Sequence, residues 1–285
     1  MTASVLRVSP EWLSLREPAD AEARARDLVE HLKRERPAAA GWVIHDLGCG
    51  TGAMGRWLTP RLPGAQHWVL HDRDSDLLAV AANRPASRSL DASPVTLELR
   101  QSDITRLESS DLAGASLITA SALLDILTEE ELARLIGVCS AVACPVLLTL
   151  SVVGLVELIA PEPLDRQIAA AFDAHQRRVT DRGALLGPDA VAAAVEQSMR
   201  LGAEVLVSPS PWRLGPDHRE LAAEWLTGWI GAACEQDAAL ATAAEAYTGR
   251  RLDQAAAGEL RVIVHHADLL ILPGGSRPTA GGIGR

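Results

Sequence analysis

The stretch Trp42-Val43-Ile44-His45-Asp46-Leu47-Gly48-Cys49-Gly50-Thr51-Gly52 decides the fold. A short apolar run ends in an acid, and three glycines then follow at every second position. The pattern predicts a strand that stops at a carboxylate and turns tightly into a helix beginning near Ala53. Glycine admits positive φ and leaves room for a ligand to lie against the main chain. The helix N-terminus offers free N–H groups and partial positive charge to a ligand's anionic end.

Outward from this turn, strand–helix alternation continues, which implies a mostly parallel sheet with helices on both faces. Strands are expected at 42–47, 67–71, 95–100, 115–120, 145–151, 203–208 and 260–272, with helices near 53–62 and 75–83. Thr128 with Glu131 three residues later forms a capping box for the helix after the fourth strand. Before residue 42, Ser9-Pro10-Glu11 can open one helix and Asp20 a stronger one through Leu28 and Leu32, ended by Pro37 and Gly41. Helices are also expected over 163–181, 188–201 and 217–248, the last inserted between strands six and seven. The expected organisation is a helical cap (1–41), a core (42–154), a C-terminal half with helical insertions (155–272) and a disordered Gly/Pro-rich tail (273–285).

Three acids stand at three successive strand ends: Asp46, Asp72 and Asp103. Gly48, Gly50 and Ala53 also satisfy the dinucleotide fingerprint, and Asp72 suits the ribose of NAD equally well. Asp46 and Asp103 have no role in that alternative. With Gly52 continuing the spacing, the set resembles the class I S-adenosylmethionine (SAM) methyltransferases, whose first motif is Asp/Glu-x-Gly-x-Gly-x-Gly. The resemblance covers residues 42–151 and implies a doubly wound α/β fold with a seven-stranded, mostly parallel sheet. It implies a SAM site (product S-adenosylhomocysteine, SAH) built from Asp46, Gly48, Cys49, Gly50, Gly52, Asp72, Arg73, Asp103, Ile104 and Ser121. In it Asp46 lies near the methionine end, Asp72 takes the ribose hydroxyls, Asp103 takes the adenine amino group and Ile104 packs on the ring. Asp74 is the reserve for Asp72.

The segment Ser121-Ala122-Leu123-Leu124-Asp125 contains neither an Asn/Asp-Pro-Pro-Tyr motif nor a Pro-Cys nucleophile, which disfavours methylation of adenine or glutamine amino groups and the 5-methylcytosine route. Asp125 either reaches the ligand or caps the next helix. Methyl transfer from a sulfonium needs alignment and, where the nucleophile carries one, removal of a proton. His175 and His218 are the candidate bases, since imidazole titrates near neutrality. His265-His266-Ala267-Asp268 invites a metal, but alternation puts only His266 and Asp268 on one face, so no metal is expected. Trp225 and Trp229 share a helical face and suit packing, an interface or an apolar pocket.

The 285 residues are 48% hydrophobic and 22% charged, with a formal charge of −10. An acidic chain repels phosphate backbones, so nucleic acid is an unfavoured partner. Cys49, Cys139, Cys144 and Cys234 lack disulfide or zinc spacing, which suits a reducing cytoplasm. Neither a signal pattern nor an apolar run long enough for a membrane is present. These observations predict a cytoplasmic SAM-dependent methyltransferase acting on oxygen or nitrogen of a small molecule, and they leave room for a homodimer. The alternatives are an RNA methyltransferase, an NAD(P)-dependent oxidoreductase and a SAM-binding scaffold subunit without activity.

Overall fold

The computed structural model describes residues 8–35, 41–86 and 88–274. In chain order the elements are α1 (Pro10–Ala23), α2 (Arg26–Glu35), β1 (Trp42–Leu47), α3 (Ala53–Leu58), β2 (Gln66–Asp72), α4 (Ser75–Asn83), β3 (Val95–Gln101), β4 (Leu117–Ser121), α5 (Glu129–Val142) and β5 (Val146–Ile159). There follow α6 (Asp165–Gln176), the short pair β6 (Val179–Thr180) and β7 (Gly183–Ala184), α7 (Ala190–Arg200), β8 (Glu204–Pro209), β9 (Trp212–Leu214), α8 (Arg219–Gln236), α9 (Ala241–Ala256) and β10 (Arg261–Leu272). The main sheet runs β3-β2-β1-β4-β5-β10-β8, with β9 added beside the first half of β10. The pairs among β1 to β5 are parallel, and β10 is antiparallel to both of its long neighbours. This is the expected doubly wound sheet with a reversed seventh strand. The additional three-residue β9 makes eight strands.

Period-two alternation sorts the sheet's side chains onto two faces. Trp42 and Ile44, Trp68 and Leu70, Leu117, Leu147, Leu270 and Leu272 pack with Leu28, Leu32, Met54, Trp57 and Leu58 of α2 and α3. Leu47, Ile118, Ala120, Leu148, Leu269 and Ile271 pack with Leu132, Leu135, Ile136, Ala190 and Ala194 of α5 and α7. A third cluster joins Trp212, Leu214, Val262, Val264 and Leu158 to Ile168, Leu226, Trp229 and Tyr247, with Trp12 and Leu15 of α1 against it. This third core is a cap built largely from α1, α6, α8 and α9 above the carboxyl ends of the parallel strands.

Four expectations are corrected. Asp20 does not open a helix: α1 runs on through it to Ala23. Asp20 is 5% exposed and accepts hydrogen bonds from Arg16 Nε (3.0 Å) and Trp212 Nε1 (2.9 Å), so a partner remote in sequence claims the carboxylate a cap would need. Strand five does not end near 151 but continues to Ile159, because the first half of β10 pairs with it from Val264↔Val156 to Arg261↔Ile159. The helix expected over 163–181 stops at Gln176; Gly183 at φ 120° and the Thr180 hydroxyl, which donates to Gly183 O (3.0 Å), make a β-turn of the segment after it. The 217–248 helix is two helices, broken where Asp237 caps a 3-10 turn through Ala239 N. The tail beyond Gly274 and the helix terminator Pro37 lie outside the described residues.

Candidate functional site

On the sheet face that packs against α2 and α3, the central positions are apolar and the series turns polar at the carboxyl edge. Ile44 is followed by Asp46, Leu70 by Asp72, Leu117 by Thr119 and Ser121, and Leu147 by Thr149. On the reversed β10, Leu272 and Leu270 lead back to Asp268. The fold thus gathers a polar row along one edge. Asp46 is 1% exposed; its Oδ1 accepts the Thr119 hydroxyl at 2.7 Å, while its Oδ2 is buried without a partner. Burial pushes the Asp46 carboxyl up to about 7, opposed by the Thr119 bond and the nearby Arg24 charge.

Between β1 and α3, Gly48, Gly50 and Gly52 have φ of 65°, 54° and 80°. Only glycine takes this left-handed backbone repeatedly without strain. Gly50 N–H donates to Asp72 Oδ2 (2.8 Å), and Asp74 N–H donates to Asp72 Oδ1 (2.9 Å). These bonds hold the Asp72 carboxylate upright beside the loop with lone pairs to spare on both oxygens. Asp74 is committed elsewhere: it caps α4 through Asp76 N (2.9 Å). Arg73 is exposed between them, and its carbonyl accepts Gln101 Nε2 (3.1 Å). Asp103 caps the 3-10 turn Ile104–Arg106 by accepting Thr105 N (3.0 Å) and Thr105 Oγ1 (2.7 Å). Ile104 packs at the fringe of the α5 core. Cys49 is buried and its thiol is pushed far up by burial, so it stays a neutral thiol and no nucleophile.

The N-terminal helices cover this edge. Leu13 Cδ1 of α1 lies 3.1 Å from where a Cβ on Gly50 would stand. Glu17 grips Arg56 of α3 through two bonds (2.6 and 2.7 Å), and Trp57 Nε1 donates to Ala21 O (3.0 Å). The α1–α2 corner is seated by Asp268, fully buried, whose Oδ2 accepts Ala25 N (2.8 Å) while Oδ1 accepts Leu150 N (2.7 Å) and the Ser210 hydroxyl (2.5 Å). Arg24 at that corner is 2% exposed and reaches Ser121 Oγ through Nη2 (3.1 Å); Ser121 Oγ also accepts Thr149 Oγ1 (3.0 Å).

The candidate bases do not meet here. His175 faces Glu235 of α8 (3.3 Å), and His218 faces Glu22 of α1 (3.5 Å), each on a helix seam. Asp125 does not cap α5, since Thr128 and Glu131 complete that capping box between them. Asp125 sits half-buried in the turn after β4, and burial raises its carboxyl, eased by the charges of Arg16 and Arg178. Among the described residues no three His, Cys, Asp or Glu side chains gather as metal ligands. Of the suspected pair, Asp268 is filled by its three donors and His266 is buried against the Trp212 ring; the neighbouring His265 faces Glu157 (2.5 Å). Arg24 has no place in the sequence reading, and Asp268 enters it only as half of a metal pair, whereas both are buried at this edge.

Residues 44–145 match a family of proteins described as a methyltransferase domain. The match covers less than half of the 285 residues and holds the glycine turn with Asp46, Asp72 and Asp103, the set that resembles the class I SAM-dependent methyltransferases. Among solved structures, a cyclopropane synthase from Mycobacterium tuberculosis is similar at 14% identity and a TM-score of 0.50, over 93% of this chain and 94% of that one. A magnesium protoporphyrin IX methyltransferase from Synechocystis PCC 6803, solved with bound SAH, is similar at 13% identity and a TM-score of 0.45, over 73% and 83%. At 14% identity the likeness to the cyclopropane synthase is one of fold. No curated protein matches the chain.

The residues present fit the donor. Three positive-φ glycines leave the backbone bare, Asp72 stands beside them with free lone pairs, and two buried polar groups, Asp46 Oδ2 and Thr51 Oγ1, lack partners.

Proposed function

We propose that the chain transfers a methyl group from SAM to an oxygen or nitrogen of a small molecule. The observation that carries this reading is the cap. The edge that holds Asp46, Asp72 and Ser121 is covered by α1, with a separate apolar core beside it, and such a covered edge suits a small acceptor better than a macromolecule. A folded RNA needs an open basic face, and a formal charge of −10 opposes one. Against the oxidoreductase stands Asp46, a buried acid that NAD does not use.

In this reading the amides and bare backbone of Gly48 to Gly52 receive the donor, Asp72 holds the ribose hydroxyls, Asp103 and Ile104 take the adenine, and Cys49, Arg73 and Ser121 line the rest. Bound SAM supplies an activated methyl sulfonium. The chain's own contribution is to orient that methyl, keep water out with α1, and accept a proton from the acceptor. For the proton, His175 and His218 are the imidazole candidates. Asp125 joins them, because it follows β4 directly, has no ion pair, and has a raised carboxyl suited to proton uptake. Cys49, Cys139, Cys144 and Cys234 form no disulfide, which supports a cytoplasmic setting. No helix among the described residues is long and apolar enough to cross a membrane. Exposed Val153, Leu155 and Ile159 on one face of β5 support a homodimer.

The test is incubation with methyl-labelled SAM and a cell extract split by size. Label is expected in the small-molecule fraction. Label confined to RNA or protein would refute the acceptor class.

A further inference from the structure

Arg24 carries a buried and poorly compensated charge. Its side chain is buried against the Trp57 ring, yet Nε and Nη1 have no hydrogen-bond partner, and Nη2 reaches only the neutral Ser121 hydroxyl. Three carboxylates, Asp20, Asp268 and Asp46, act on it at longer range, and none comes within ion-pairing distance. Two of the three are already engaged. Asp20 is held by Arg16 and Trp212, and Asp268 is filled by Ala25, Leu150 and Ser210. Asp46 alone keeps an unpartnered buried oxygen.

Isolated buried charges are strongly unfavourable, so a guanidinium with two idle nitrogens beside a carboxylate with an idle oxygen needs a reason. If the two served each other they would be in contact. Instead a cation and an anion, each with unpartnered buried atoms, act on each other without contact. A simple anion would satisfy Arg24 and repel Asp46; a simple cation would do the reverse. A zwitterion, an α-ammonium beside an α-carboxylate, satisfies both.

Resting on the donor reading above, we infer that Arg24 binds the carboxylate of the donor's amino-acid end while Asp46 binds its ammonium. Arg24 lies outside the matched segment 44–145, at the C-terminal end of α1. The donor site is therefore completed by the α1–α2 corner, which Asp268 seats on the sheet. The corner acts as more than a lid, since it delivers one of the two charges that recognise the ligand. Donor binding and seating of the corner stabilise each other.

Calorimetric titration with two probes tests this. SAH carries the zwitterion; 5′-methylthioadenosine has the same nucleoside and thioether but lacks it. Arg24→Met should weaken SAH about 30-fold, the scale of a lost charge-assisted pair, and leave methylthioadenosine within about twofold. Asp46→Asn, nearly isosteric, should show the same split. Without ligand, the melting temperature of Arg24→Met should be no lower than that of wild type, because an uncompensated buried charge is gone. Loss of both probes in equal measure, or a lowered melting temperature with unchanged SAH affinity, would make Arg24 a scaffold residue and overturn the inference. Wild-type protein that binds neither probe would overturn the donor reading itself.

Discussion

Replacing Asp268 by alanine removes one acceptor from three buried donors at once. Asp268 is fully buried and accepts from Ala25 N, Leu150 N and Ser210 Oγ at 2.8, 2.7 and 2.5 Å. These donors belong to the α1–α2 corner, to the irregular point of β5 where Leu150 takes φ 57°, and to the link between β8 and β9. Hydrogen bonds to a charged acceptor contribute about 1.5–3 kcal/mol each, and orphaned buried amides lose their desolvation energy in addition. Against this, the carboxylate is itself uncomfortable: burial raises its pKa, and its removal returns part of that strain. The net loss should be about 3–5 kcal/mol, the range found on breaking buried ionic networks. Asp268→Asn keeps the shape but turns one acceptor into a donor against donors, and should lose about 2–3 kcal/mol. Equilibrium unfolding in urea, followed by tryptophan fluorescence, reads both values. An alanine variant within about 1 kcal/mol of wild type would refute the reasoning.

Other outcomes follow from single groups. Arg251 is fully buried and holds Asp165 at 2.9 and 3.0 Å, and Tyr247 also donates to Asp165 (2.5 Å); Arg251→Met leaves Asp165 without its cation and should lose about 3–5 kcal/mol by the same unfolding assay. Burial pushes His45, His71 and His266 from 6.5 down to about 4. The unfolded chain takes up protons at these sites first, so their contribution is intact above pH 6.5 and is lost as pH falls toward 4; melting temperature against pH should drop across that window. With Asp46 near 7 in the free protein, its ionised form, which is the one that suits an ammonium, dominates about one unit above that value and is scarce about one unit below it. SAH affinity measured by calorimetry should therefore fall about tenfold from the upper to the lower of those pH values, and Asp46→Asn should flatten the profile.

The sheet was legible because its strands are short apolar runs closed by acids or glycines, a local pattern that needs no knowledge of neighbours. Positions whose role depends on remote partners were not legible. Asp20 has the residue type of a helix cap, yet Trp212 and Arg16 claim it. Asp74 resembles a ribose ligand by position and serves as the cap of α4. The full length of β5 was hidden in its own sequence, where Gly154 interrupts the run. The available signal was the mismatch between a long strand seven, 260–272, and a short strand five, 145–151, since a long antiparallel strand needs a partner of its own length. Arg24 carried no sequence signal, because its meaning lies in what it fails to touch once folded.

The most direct measurement is calorimetric titration of the full chain with SAH, with NAD as the control. Micromolar binding of one SAH per chain, with no heat from NAD, is the expected result. Binding of NAD with none of SAH would contradict the donor assignment and return the glycine loop to the oxidoreductases.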